Sequence, residues 1–238
     1  MLKNIFYPTP QNAFVWLSSI YLLFLLYIGK ASAISILFTY FLETIIIGIF
    51  NAIKMLWCIL FGKSKTSEFS SILFFLVHYG FFVAIQSIFG FALFSIQGSE
   101  IIKEPFNVFQ NYNAILHLED IQYALPAIIF THLGKFITDY INHKKYLKFT
   151  VKDIMYRPYI RVFIQQFVVI LSFFFIVFDN GEAGIIAVIL LILFRLCIDL
   201  VMESIQENST TLTYVSEKLA NKKASKEDIK KQLMSFTE

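Results

Sequence analysis

Residues 33–61 read AISILFTYFLETIIIGIFNAIKMLWCILF, and the only charges in that run are Glu43 and Lys54. An apolar run of this length exceeds the ~17–25 residues that a tilted helix needs to cross hydrocarbon. It shows no period-two alternation, so it reads as a helix and not as a barrel strand. A membrane helix that carries a glutamate, an asparagine and a lysine must have those groups answered from elsewhere in the chain. The fold and the candidate site both follow from that requirement.

Five more apolar segments can be marked, at roughly 13–29, 70–97, 121–142, 159–178 and 183–205. Composition agrees with a lipid environment. The 238 residues are 57% hydrophobic and only 16% charged, against about a quarter charged in an ordinary soluble domain. The expected fold is all-α, a polytopic membrane helical bundle of six transmembrane helices over residues 1–206. A polar cytoplasmic tail follows at 207–238. Within it, Ser225-Lys226-Glu227-Asp228 matches a capping box opening a short helix with Ile229, Leu233 and Phe236 on one face. That face is expected to pack on cytoplasmic loops or on a partner. Lys3 and Ala31-Ser32-Ala33 imitate a signal peptide and its cleavage site, but Lys30 interrupts the approach, and the first segment is read as a retained helix. Cys58 and Cys197 both lie in apolar runs and form no CxxC motif, so two free thiols are expected.

Loop charge sets the expected orientation. One set of segment ends is basic: Lys3; Lys63 and Lys65; Lys144, Lys145, Lys148, Lys152 and Arg157; and the lysine-rich tail. The other set is sparse or acidic, with Lys30, then Glu100, Lys103, Glu104, Glu119 and Asp120, then Asp179 and Glu182. The positive-inside rule therefore puts both termini in the cytoplasm. The basic 143–158 loop, with Tyr146 and Tyr156, suits anionic headgroups.

The polar residues within the segments fall on stripes. Glu43, Ile47, Asn51 and Lys54 share one face at helical spacing, and His132, Lys135, Asp139 and His143 share another. His78 and Gln86 lie eight residues apart; Arg161 and Gln165, with Gln166 beside them, are i,i+4; Arg195, Asp199 and Glu203 repeat at i,i+4. At ~1.5 Å per residue, His78, Gln165 and Asp199 fall about 9–12 Å from the cytoplasmic edge, with His132 and Arg195 a turn deeper. The outer halves are nearly all apolar. Gln86, Gln165 and Gln166 read as interhelical hydrogen bonds of ~0.6–2 kcal/mol. Lys135, Asp139, His143 and Glu203, near helix ends, are expected to snorkel. Glu43 and Arg195 are too deep for that, and a charge at mid-bilayer costs at least ~2.5–3.5 kcal/mol, so they should face one another. Glu43 and Lys54 stand about 16 Å apart along one axis and cannot pair. Counted from the outer ends, Glu43 lies about ten residues in and Arg195 about twelve, which makes helices 33–61 and 183–205 neighbours clasped by Glu43–Arg195. A lower clasp of Lys54 with Asp199 or Glu203 is expected beneath it. The competing reading is an Arg195–Asp199 pair within one helix that leaves Glu43 protonated and packed alone.

Several of these pieces together resemble a family of uncharacterised bacterial membrane proteins, common among Bacteroidetes and known as a domain of unknown function. They are E-x4-G-x2-N-x2-K-M (Glu43, Gly48, Asn51, Lys54, Met55), HYG (His78 to Gly80), the histidine of THLGKF (His132), RPYIR (Arg157 to Arg161) and the aspartate of RLCIDL (Asp199). The resemblance covers most of the chain to the end of the sixth segment, and it implies a six-helix architecture and a shared site but no reaction. Relatives often carry two more histidines, where this chain has Gln86 or Ser87 and Gln165 or Gln166. Four histidines at one depth would imply a haem or metal site; two histidines and two amides make a weaker one.

Three functions stay open on the sequence. The first is small-ligand or ion binding or transport, with Glu43, Asn51, Lys54, His78, His132, Arg161, Arg195 and Asp199 as candidate site residues and Glu43 as the titrating group. The second is a haem- or transition-metal-bearing subunit using His78 and His132. The third is a non-catalytic structural or assembly subunit of a membrane complex. HExxH, Gly-rich phosphate loops and GxSxG are all missing, which argues against an enzyme. The expected surroundings are the lipid bilayer, with a membrane-protein partner or a second copy; a net charge of +3 offers nothing to nucleic acid.

Overall fold

The computed structural model of the protein is all-helical among its described residues, which are 5–10, 12–96, 101–159, 162–163, 167, 170, 182–205, 209–220 and 225–237. The helices are α1 (Ala13–Tyr27), α2 (Ala33–Phe61), α3 (Phe69–Ile96), α4 (Val108–Leu116), α5 (Glu119–Lys135), α6 (Val151–Met155), α7 (Glu182–Ser204), α8 (Thr210–Leu219) and α9 (Lys226–Thr237). Five of the six segments read from the sequence match α1, α2, α3, α5 and α7 closely. The sixth, 159–178, lies almost wholly outside the described residues, and Arg161, Gln165 and Gln166 with it. Two described helices are long and apolar enough to cross a membrane: α2, and the run Thr66–Ser95 that contains α3. α1 is apolar but shorter.

α2 is the central helix, packed by α3, α5, α6 and α7. Its most apolar window is 72% buried, against 28% for α3, so α3 shows an apolar face outward. Gly29, in the left-handed region at φ 71°, ends α1, and glycine is the residue that takes this conformation without strain. Ser32 then caps α2 in a reciprocal box, with Ser35 N–H donating to Ser32 Oγ and Ser32 N–H to Ser35 Oγ. Ser32 N–H also reaches Asp120 Oδ2 at 2.9 Å, which ties the start of α2 to the acidic first turn of α5.

Close helix approach is made by rings over glycines. Tyr79 lies on Gly48, Phe41 on Gly90 and Phe14 on Gly134, and a Cβ at any of the three would collide with the ring. Small residues serve the same end in membrane bundles, where backbones must come close to gain packing energy. Tyr79 also donates its hydroxyl to Thr44 O at 2.7 Å. At the far end of α2, Tyr140 OH donates to Lys54 O and meets Cys58 Sγ at 3.0 Å. α4 covers one flank of α3 through a 2.6 Å bond between Tyr112 OH and Ser87 Oγ, and burial pushes the Tyr112 hydroxyl up to about 12.

Among the described residues two large apolar cores result, beside a small cluster of Ile5, Val15, Leu196 and Leu200. One gathers Leu37, Phe38 and Phe41 of α2 with Ile121 and Ile128 of α5 and Leu191 and Ile192 of α7. The other gathers Met55 and Cys58 with Phe75, Phe136, Tyr140 and Ile154. α5 continues past Lys135 as a π-helical segment, Phe136–Ile141.

The polar tail differs in part from expectation. The capping box at Ser225 is present, with Ser225 Oγ and Asp228 Oδ2 at 2.7 Å. An additional helix, α8, precedes it, and α9 packs on α8. Of the basic residues in the 143–158 loop, Lys145 and Arg157 are buried. Lys145 turns in to Asp139 and the Arg157 guanidinium lies over the Phe149 ring, so those two are spent on the fold and not held out toward headgroups.

Candidate functional site

Glu43 sits a third of the way along α2, between the two apolar cores, and is fully buried. Arg195 of α7 donates through Nη2 to Glu43 Oε1. His132 of α5 places Nε2 at 2.9 Å from the same oxygen. One carboxylate oxygen therefore joins three helices. Arg195 also holds Asp199 one turn along α7, Nε to Oδ2 at 3.7 Å, and its guanidinium lies over the Tyr40 ring at 4.7 Å. The Phe50 ring stacks beside the His132 imidazole at 6.0 Å.

The clasp expected from counting depths is thus present, and α2 and α7 are neighbours. The Arg195–Asp199 pair of the competing reading is present as well, but Glu43 is not left alone. A guanidinium carries five donors in a fixed fork, so it serves two carboxylates at once. Tyr40 was not foreseen, although it sits one turn before Glu43 and so on the same face.

The lower clasp is built differently from expectation. Glu203 is held by Lys135 of α5 at 3.1 Å, with both side chains largely buried. This pair spans α5 and α7, so these two residues are tied inside the bundle and do not simply snorkel. Lys54 places its ammonium over the Tyr140 ring at 5.7 Å. Farther along, Asp139 accepts from Lys145 at 2.9 Å and lies 3.6 Å from His143. Asn51 faces α6, donating through Nδ2 to Ile154 O at 3.3 Å. That bond makes it an anchor for α6 in this structure. Gln86 was expected to bond another helix; among the described residues its buried Oε1 has no partner.

His78 and His132 have separate surroundings. His78 is exposed on α3, with Nδ1 at 2.7 Å from Tyr159 OH and its ring stacked on Phe74. His132 lies in the buried Glu43 cluster. Among the described residues, no three His, Cys, Asp or Glu side chains gather in a way that could hold a metal ion. Both Cys58 and Cys197 are free thiols, the first buried and the second exposed.

Chemically, the cluster is a preformed set of charge-assisted hydrogen bonds in a dry interior, where each is stronger than it would be in water. Such a set holds one ionisable carboxylate in place and surrounds it with nitrogen donors. A family model described as a family of unknown function (DUF6498) matches residues 1–227. No curated protein matches the chain, and no solved structure does.

Proposed function

The chain belongs to this family of unknown function, DUF6498, and from that premise we propose a six-helix integral protein of a bacterial inner membrane that binds or transports a small ligand or ion at the Glu43 cluster. Both termini are cytoplasmic in this reading, and the cluster opens toward the cytoplasmic side. The observation that carries it is the single Glu43 oxygen shared by donors from α5 and α7 at full burial. Ionisable groups buried in this way are costly and mark ligand or ion sites in membrane bundles. The loop charges support the orientation, and the length and apolarity of α2 and of the run containing α3 support a membrane location.

A thermal-stability screen of the purified full chain tests the proposal. Protons, alkali and alkaline-earth cations and small carboxylates are the probes, each applied to wild type and to Glu43→Gln. At least one is expected to shift the wild-type midpoint and leave the folded Glu43→Gln protein unmoved. No Glu43-dependent shift from any probe, with both proteins folded, would overturn it.

A further inference from the structure

From the cluster toward the C-terminal ends of α5 and α7 and beyond, the charged side chains form a series of rising exposure. His132 and Arg195 are 7% and 9% exposed. Lys135 and Glu203 are 14% and 13%. Asp139 is 26% and His143 is 60%. In the other direction Glu43 meets the apolar core of Phe38, Phe41, Ile128 and Leu191. The cluster thus grades into exposed charge at the His143 end and into apolar packing at the opposite end.

Glu43 Oε1 is already in contact with two nitrogens, His132 Nε2 and Arg195 Nη2, which sets the kind of ion the cluster can take. A hydrated metal or alkali cation needs several oxygen ligands around it, and here it would have to displace the Arg195 guanidinium. A proton needs no coordination shell. It requires a hydrogen bond with a basic atom at each end, and the 2.9 Å contact of His132 Nε2 with Glu43 Oε1 is one.

We propose that the ion taken by this site is a proton, held jointly by His132 and Glu43 and exchanged with the side on which His143 is exposed. This rests on the reading of the cluster as an ion site. In the step, a proton from water at the His143 end is delivered to the pair, an N–H or O–H bond forms, and hydroxide is left behind; release reverses it with no other bond changed. Neutral imidazole beside carboxylate becomes imidazolium beside carboxylate, or imidazole beside carboxylic acid.

Among the described residues, three helices bring charged or titratable groups toward His132. α2 presents Glu43 and Tyr40, with Lys54 farther along; α7 presents Arg195 and Asp199; α5 itself adds Lys135. α1 and α4 carry no Asp, Glu, His, Lys or Arg at all. Asp199 and Glu203, about 6 Å apart along α7, and Asp139 on the π-helical segment are the carboxylates on the side of the cluster where exposure rises.

The test is a count of protons taken up when the full chain in lipid nanodiscs is brought from about pH 8 to about pH 5, the range in which imidazole titrates. Glu43→Gln and His132→Gln should each take up about one proton fewer than wild type. The double variant should lose the same one and not two, because the proton is shared. Sodium or potassium should leave all counts unchanged. If Glu43→Gln does not fold, His132→Gln carries the result, since it removes the same proton and leaves the Glu43–Arg195 pair in place. A loss of two protons in the double variant, or none in His132→Gln, overturns the proposal. If the counts are unchanged but an alkali cation stabilises wild type in a Glu43-dependent way, the ion site stands and the proton assignment falls. If neither protons nor cations register, both fall.

Discussion

Arg195→Met isolates the energetic weight of the clasp. The substitution removes the guanidinium from Glu43 Oε1, from Asp199 and from the face of Tyr40. Breaking a buried pair by deleting one partner costs about 3–5 kcal/mol, and losing the cation–π contact adds about 1 kcal/mol. Glu43→Gln keeps the side-chain shape and one acceptor oxygen for Arg195 or His132, so its expected cost is about 2–3 kcal/mol. Combined, the substitutions remove both charges of the pair, and neither leaves the other stranded. The double variant should therefore be less stable than Arg195→Met by little, with a coupling of about 2–3 kcal/mol relative to additivity. The charge swap, Glu43→Arg with Arg195→Glu, should likewise yield more folded protein than either of its singles. Reversible unfolding of the full chain in bicelles, followed for wild type, both singles and the double, gives the cycle directly. Additivity within about 0.5 kcal/mol would refute the reasoning, because it would mean that the two side chains do not depend on each other.

Two other outcomes follow from packing and from loop charge. Gly48→Ala drives a Cβ into the Tyr79 ring and should cost about 1–3 kcal/mol, whereas Gly80→Ala, with nothing within 4 Å of the new carbon, should gain up to about 1 kcal/mol of helix propensity; thermal midpoints of the two variants check this, and equal shifts would contradict it. In intact cells carrying Cys197→Ser, an impermeant thiol reagent should label Asn113→Cys on α4 and spare Lys144→Cys in the basic loop, and the reverse pattern would invert the proposed topology.

The long apolar helices were legible because each is a continuous apolar run with no competing pattern, and α2 agrees with its predicted bounds, 33–61. The Glu43–Arg195 contact was legible for a related reason. Depth along a straight helix is a count of residues, and an ion in an apolar surround has few places to find its opposite. His132 could be placed at the right depth but not against Glu43, since depth says nothing about which way a helix is turned. The same limit applies to His78, whose exposed, Tyr159-bonded position depends on the rotation of α3. Lys135 with Glu203 was missed because both lie near helix ends, where water is an equally good partner on paper. The inward turn of Lys145 depends on a loop fold, with Lys144 at φ 51°, that no periodicity announces. α8 was overlooked because its polar residues mask a helix that Ser209 caps through Leu212 N–H.

The rings seated on Gly48, Gly90 and Gly134 bear on how finely the site is machined. Apolar helix surfaces in lipid slide past one another with little solvent penalty, so greasiness alone sets no register. A ring in a notch is a mechanical stop and works equally well in lipid, detergent or water. Slipping a helix by one residue moves it ~1.5 Å along its axis and turns it about 100°. Either displacement would break a 2.9 Å contact such as that of His132 with Glu43. The working tolerance of the charged cluster is therefore inherited from three aromatic stops seated on glycines.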